Sequence, residues 1–171
     1  MKEILASLPV QYRQADLPDA GMLGYIYYES WMSTVKGLLP ERYLEPYTPE
    51  ALADAMYRLI GTTYADYFLI DVDGQPSGFC AADYQADPEV GEITHLFLLP
   101  AYTGKGYGEG ALRFLLDHLK GRGKSRAAVW VNASNGRAVR FYERQGFLPT
   151  GEERALYMGV PQTERRYERT I

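Results

Sequence analysis

Thr103-Gly104-Lys105-Gly106-Tyr107-Gly108-Glu109 sets three glycines at alternate positions, between an apolar run that stops at Pro100 and a segment striped with leucine. A strand, a glycine-rich turn and a helix start together make an anion site, because successive backbone N–H groups and the helix dipole converge on one place. Glycine lets the chain bring those N–H groups close to phosphate oxygens, and Lys105 adds a point charge. Two other phosphate motifs fit less well. Gly123-Lys124-Ser125 has the Gly-Lys-Ser ending of a nucleotide triphosphate loop, but the first glycine of that motif falls on His118, and the segment follows a helix. Gly106-x-Gly108-x-x-Ala111 fits a permissive dinucleotide fingerprint, yet residues 100–103 separate it from the strand. The end of the next strand then carries Asn132 where an acidic residue is needed for a ribose. Other groups able to do chemistry flank the loop. Glu92 and His95 precede it, Asn135 and Tyr142 follow it, and Cys80 stands alone. A single cysteine excludes a disulfide within the chain and a cysteine-rich zinc site. With two histidines at no ligand spacing, no intrinsic metal is expected.

The elements that must position these groups read as follows. Residues 10–14 alternate as a short strand. Asp16 and Pro18 signal a helix start, and Leu23, Tyr27 and Trp31 share one helical face until Gly37 and Pro40 end it. Thr48-Pro49-Glu50 opens a second helix that runs through Leu52, Met56 and Leu59. Residues 67–72 are a strand, Asp73-Gly74 is a hairpin signal, and residues 78–84 return. Residues 92–98 form a third strand of this group. Leu112, Leu115, Leu116 and Leu119 stripe the helix after the glycine loop. Residues 127–131 are a buried strand, residues 135–145 a helix stopped by Gly146, and residues near 147–156 and 163–169 two last strands. The order β-α-α-β-β-β-α-β-α-β-β predicts an α/β (α+β) sheet covered on its faces, in one domain over residues 1–171. Simple alternation puts Glu92 and His95 on opposite strand faces unless a bulge intervenes.

The segment from Asn135 to Phe147, read as Asn-x-x-Ala-x-x-x-Tyr-x-x-x-Gly-Phe, resembles a hallmark of the GNAT superfamily of acyl-CoA-dependent N-acetyltransferases at every marked position. The loop resembles that superfamily's pyrophosphate motif, Gln/Arg-x-x-Gly-x-Gly/Ala. Thr103 stands where Gln or Arg is usual. The two motifs occur in the right order, and the resemblance covers residues 66–158 well. It implies a mixed, mostly antiparallel sheet of six to seven strands, splayed between the fourth and fifth, with helices on both faces. It also implies direct transfer of an acetyl group from acetyl-CoA to a primary amine of a small molecule or peptide, in a ternary complex. Residues 103–109 then cradle the pyrophosphate, Leu98 pairs with the pantetheine arm through its backbone, and Asn135 hydrogen-bonds the cofactor. Tyr142 is implied as general acid; a thiol titrates near 8.5 and tyrosine near 10, so the proton exchange carries no severe mismatch. Glu92, eleven residues before Thr103, stands where some members carry a catalytic glutamate. His95 and a water chain are its competitors as base. The N-terminal helices usually shape the acceptor site in the superfamily, which implicates Tyr28 and Trp31. A rival from another class is a non-catalytic CoA-binding sensor module, whose support is Thr103.

The remaining bounds are compositional. The chain has 171 residues, 46% hydrophobic and 23% charged, which suits a globular domain with its own core. A formal net charge of −4 excludes a sequence-wide nucleic-acid footprint. Residues 1–10 do not read as a signal peptide, and there is no long apolar run. The expectation is a cytoplasmic monomer or homodimer without nucleic-acid or membrane partners.

Overall fold

The computed structural model describes residues 10–62 and 65–171, so the reading of residues 1–9 lies outside the described part. In chain order the elements are β1 (Gln11–Gln14), α1 (Ala20–Val35), α2 (Glu41–Leu44), α3 (Pro49–Ile60), β2 (Ala65–Val72), β3 (Gln75–Asp83) and β4 (Val90–Leu98). They continue with α4 (Tyr107–Gly121), β5 (Arg126–Asn132), α5 (Gly136–Arg144), β6 (Leu148–Tyr157) and β7 (Pro161–Thr170). Local chemistry explains most boundaries. The Thr48 hydroxyl accepts the Ala51 N–H at 3.1 Å and caps α3, with Pro49 at its first position. Asp73 and Gly74 both have positive φ, as a two-residue hairpin turn requires, and join β2 to β3. Asp16 and Pro18 start a short 3-10 turn instead of the helix itself, and α1 begins at Ala20. The single turn α2 has too few residues to show a period, so the sequence reading passes over it.

The seven strands form one sheet in the order β1-β2-β3-β4-β5-β7-β6. Every neighbouring pair is antiparallel except β4 and β5. The strands of the middle alternate between two cores. Phe68, Ile70, Cys80 and Ile93 face Leu112, Leu115 and Leu119 of α4 and Tyr142 of α5. Tyr67, Leu69, Phe79 and Ala81 face Leu23 and Ile26 of α1 and Met56 of α3. Coverage on both sides explains why β2 and β3 read as nearly continuous apolar runs.

Candidate active site

The sheet comes apart where the chemistry was expected. Parallel pairing of β4 with β5 ends at Ile93–Val129. Beyond it β4 continues along β3 to Leu98, whereas β5 stays with β7. Two parallel strands release their chains at the same edge, so the starts of α4 and α5 meet beside the gap. Gly108 marks the junction: a Cβ there would lie 3.6 Å from the Phe141 ring of α5 and 3.8 Å from Leu98. The Leu99 N–H donates to the Ser77 carbonyl at 2.8 Å, so by strand alternation the N–H and C=O of Leu98 point into the gap. That carbonyl accepts the Ser30 hydroxyl of α1 at 2.7 Å. Sequence pattern does not single out Ser30, although a polar residue on the buried stripe of Leu23 and Ile26 asks for a partner. Among the described residues the Leu98 N–H has no such partner.

The loop has the shape of an anion cradle. Gly104 and Gly106 have φ of +72° and +86°, and a Cβ on either would meet nothing within 4 Å. Glycine is needed there for backbone conformation and for an open approach, not for packing. Gly106 caps α4, and the first intrahelical bond, Gly110 N–H to the Gly106 carbonyl, leaves the N–H groups of Tyr107, Gly108 and Glu109 free. Lys105 and Glu109 are exposed. The Thr103 hydroxyl donates to the Pro100 carbonyl at 2.9 Å, so this departure from the usual Gln or Arg is spent on holding the turn. A differential prediction follows from the two kinds of glycine. If residues 103–109 hold a cofactor pyrophosphate, as the resemblance implies, Gly106→Ala should raise that cofactor's dissociation constant at least about tenfold, since it strains a left-handed residue and crowds the anion path. Gly108→Ala, whose methyl finds ordinary van der Waals contact, should stay within about threefold by calorimetry.

Asn135 and Tyr142 lie on α5 as the spacing required. The Asn135 side-chain oxygen accepts the Ala138 N–H at 3.1 Å and caps the helix, and its amide NH2 has no hydrogen-bond partner among the described residues. Tyr142 is buried between Phe141 and Phe147, and among the described residues nothing hydrogen-bonds its hydroxyl. Burial, with the nearby Cys80 thiol adding to it, pushes its pKa well above 10, so it stays protonated across physiological pH. Cys80 is itself fully buried and burial raises its thiol, which makes it core and not a nucleophile.

The expected opposition of Glu92 and His95 is corrected by a bulge. Asp83 pairs with Glu92 and Ala82 with Ile93, but Ala81 pairs with His95, so Thr94 is the extra residue. Ala81 and Asp83 share a face, and therefore His95 and Glu92 do too, on the α1 side of the sheet. Their surroundings differ. His95 is packed among Tyr27, Tyr67, Phe79 and Phe97, and desolvation pushes its pKa down to about 4. Glu92 is half-buried; desolvation raises its pKa, and Arg154 and Arg166 partly oppose the rise. The raised carboxylate is the better-matched base near neutrality. The depressed histidine has its own signature. In the unfolded chain it gains a proton near pH 6.5, in the fold only near pH 4, so stability present above pH 6.5 is lost as pH falls. His95→Phe should remove up to about 3 kcal/mol of the pH dependence of unfolding between pH 7 and 4.

Helices α1 and α3 lie over β2, β3 and β4. Trp31 packs on Tyr47 at 4.8 Å between ring centres, and Tyr47 packs on Tyr43. The turn between β6 and β7 closes on this group: the Tyr43 hydroxyl donates to the Tyr157 carbonyl at 3.4 Å, and a Cβ on Gly159 would stand 2.8 Å from Tyr43 Cβ. Tyr28 is half-buried on α1, and among the described residues no ring packs on it. Trp31 thus joins a cluster of rings that meets the β6–β7 turn through Tyr43. Two hollows lie away from the gap, one of about 370 Å³ near Leu148 and Arg169 and one of about 180 Å³ near Asp66 and Tyr84. Among the described residues no side-chain cluster is placed to hold a metal, and no helix is long and apolar enough to cross a membrane.

The sheet thus splits at its one parallel pair, with a glycine-rich helix start at the mouth of the split. Residues 30–147 match the Acetyltransferase (GNAT) family, and the chain belongs to that family of acetyltransferases. It is 30% identical over 142 residues to an uncharacterized N-acetyltransferase of Archaeoglobus fulgidus, covering 80% of this chain and 91% of that protein. An uncharacterized N-acetyltransferase of Methanocaldococcus jannaschii is 33% identical over 98 residues, 54% of this chain; the match spans only 42% of that relative's length. In fold the chain is similar to the PaiA N-acetyltransferase of Thermoplasma acidophilum, solved in complex with coenzyme A. The TM-score is 0.73 at 22% identity, covering 96% of this chain and all of that one.

Proposed function

We propose that the protein transfers an acetyl group from acetyl-CoA directly to a primary amine in a ternary complex. The observation that carries this reading is the end of β4–β5 pairing at Ile93–Val129, which opens backbone donors of β4 beside Tyr142 and the loop of residues 103–109. Acetyl-CoA supplies the activated thioester. The free N–H groups at the start of α4 hold its pyrophosphate, with Asn135 and the Leu98 backbone aligning the rest. Glu92 takes the ammonium proton through one water, because an alkylammonium with a pKa near 10 is not nucleophilic. The nitrogen then attacks the thioester carbon while a backbone N–H of the bulged strand meets the charge on its oxygen. The C–S bond breaks as the N–C bond is completed, and Tyr142 gives its proton to the sulfur. Tyr28 and Trp31 wall the acceptor. The single buried thiol fits a reducing, cytoplasmic setting.

Thermal unfolding tests the donor first. Acetyl-CoA at 100 times its dissociation constant should stabilise the fold by about 2.7 kcal/mol, and NADH and ATP should not. Amine-dependent thiol release then tests catalysis. No shift at millimolar acetyl-CoA would reduce the reading to fold alone. A shift without thiol release from any amine would instead favour a CoA-binding sensor.

A further inference from the structure

On the face of the sheet that carries Glu92 the charges are unevenly satisfied. Glu92 pairs with Ala128, so Trp130, two residues on along β5, stands on the same face one step toward the gap. Arg166 of β7 pairs with Trp130, and Arg154 of β6 pairs with Glu164. Arg154 folds back over the indole, its guanidinium carbon 4.4 Å from the ring centre, while that of Arg166 lies at 6.0 Å. Stacking therefore brings an arginine from the sheet edge to a place over β5, one strand from Glu92.

The donors of these arginines are only partly used. Arg154 gives Nε to Glu164 at 2.5 Å, and among the described residues its two Nη groups have no hydrogen-bond partner. Arg166 pairs Nη2 with Glu168 at 2.9 Å, its Nη1 is 3.8 Å from Glu152, and its Nε is buried with no partner. An unpartnered buried donor is costly and calls for an oxygen. Glu92, by contrast, is a carboxylate that joins no ion pair among the described residues, and the charged groups that act on it are Arg154, Arg166, Asp83 and Glu164. Glu164 pairs with Arg154, and Glu168 pairs with both Arg166 and Arg126. What remains on this face is a carboxylate without an ion-pair partner, Glu92, and guanidinium N–H groups without hydrogen-bond partners among the described residues, beside the Trp130 ring. A plain alkylamine would satisfy only the first. A zwitterion satisfies both, and the planar fork of arginine suits a carboxylate.

We propose that the acceptor is an amino-acid-type zwitterion, its amine at Glu92 and its carboxylate held by Arg154 and Arg166 against Trp130. This rests on the transferase reading above and names the acceptor class for the same site. The test compares matched acceptors by thiol release from acetyl-CoA: L-phenylalanine, L-leucine and L-lysine against phenethylamine, isopentylamine and cadaverine. At least one carboxylate-bearing member should exceed its decarboxylated partner about tenfold or more in kcat/KM. R154Q should shrink that ratio about tenfold through KM, and R154K should restore part of it. Equal or better use of the decarboxylated amines by the unaltered protein overturns the proposal, as does an R154Q ratio that does not move. Titration of the same amino acids into the protein with bound CoA separates this from failure of the transferase reading. Binding that R154Q weakens tenfold supports the acceptor class even without turnover. Absence of binding by every amino acid, in a protein that still acetylates a decarboxylated amine, sinks it alone.

Discussion

Tyr142→Phe should lower kcat about 10²- to 10³-fold, within the range that general acid catalysis contributes, while acetyl-CoA affinity changes by less than about threefold. The structure makes this a clean substitution. The ring packs between Phe141 and Phe147 beside Cys80, and phenylalanine keeps those contacts. No described group hydrogen-bonds the hydroxyl, so its removal leaves no orphaned partner and the melting temperature should hold within about 2 °C. The raised pKa from burial implies that the loss appears at all pH values below the alkaline range, since the hydroxyl is protonated throughout. Single-turnover measurements, in which chemistry and not product release is read, decide the matter. A rate within about threefold of the unaltered protein removes Tyr142 from the reaction.

Glu92→Gln should cost about 10²-fold in kcat/KM at neutral pH and flatten the acidic limb of the pH profile. The sign follows from the site. The active form is the carboxylate, and desolvation raises its pKa, so activity falls as pH drops through that raised value. Glutamine has no proton to take, and its slow rate should not depend on pH in that range. His95 provides the control. With a pKa near 4 it would place a limb of its own near pH 4, and H95Q should keep the Glu92 limb intact. A limb that survives in E92Q and vanishes in H95Q would transfer the role of base to the histidine. A limb unchanged in both would point to a chain of waters.

Much of this site was legible in residue order because its parts are local. The loop of residues 103–109, the cap at Asn135 and the spacing of Asn135 to Tyr142 each depend on one turn or one helix, whose geometry a short segment dictates. The hairpin at Asp73-Gly74 and the start of α3 at Thr48-Pro49 are of the same kind. The relation of Glu92 to His95 was misjudged because a single inserted residue in β4, Thr94, reverses the alternation, and bulges leave little local trace. Ser30 and Trp130 were missed as site residues for a related reason: each matters through a partner far along the chain.

The order of elements, the glycine-rich start of α4 and the face of α5 that carries Tyr142 follow from residue order alone, since helix and turn chemistry act over a few residues. The splay between β4 and β5 was expected from the resemblance, but its position after Ile93, the bulge that turns Glu92 and His95 to one side, and the insertion of β7 between β5 and β6 are outcomes of tertiary packing. That insertion places Arg166 beside Trp130 and lets Arg154 reach back over it. Strand order and register are settled by which apolar faces can be buried together across the whole sheet, a competition that no single segment records.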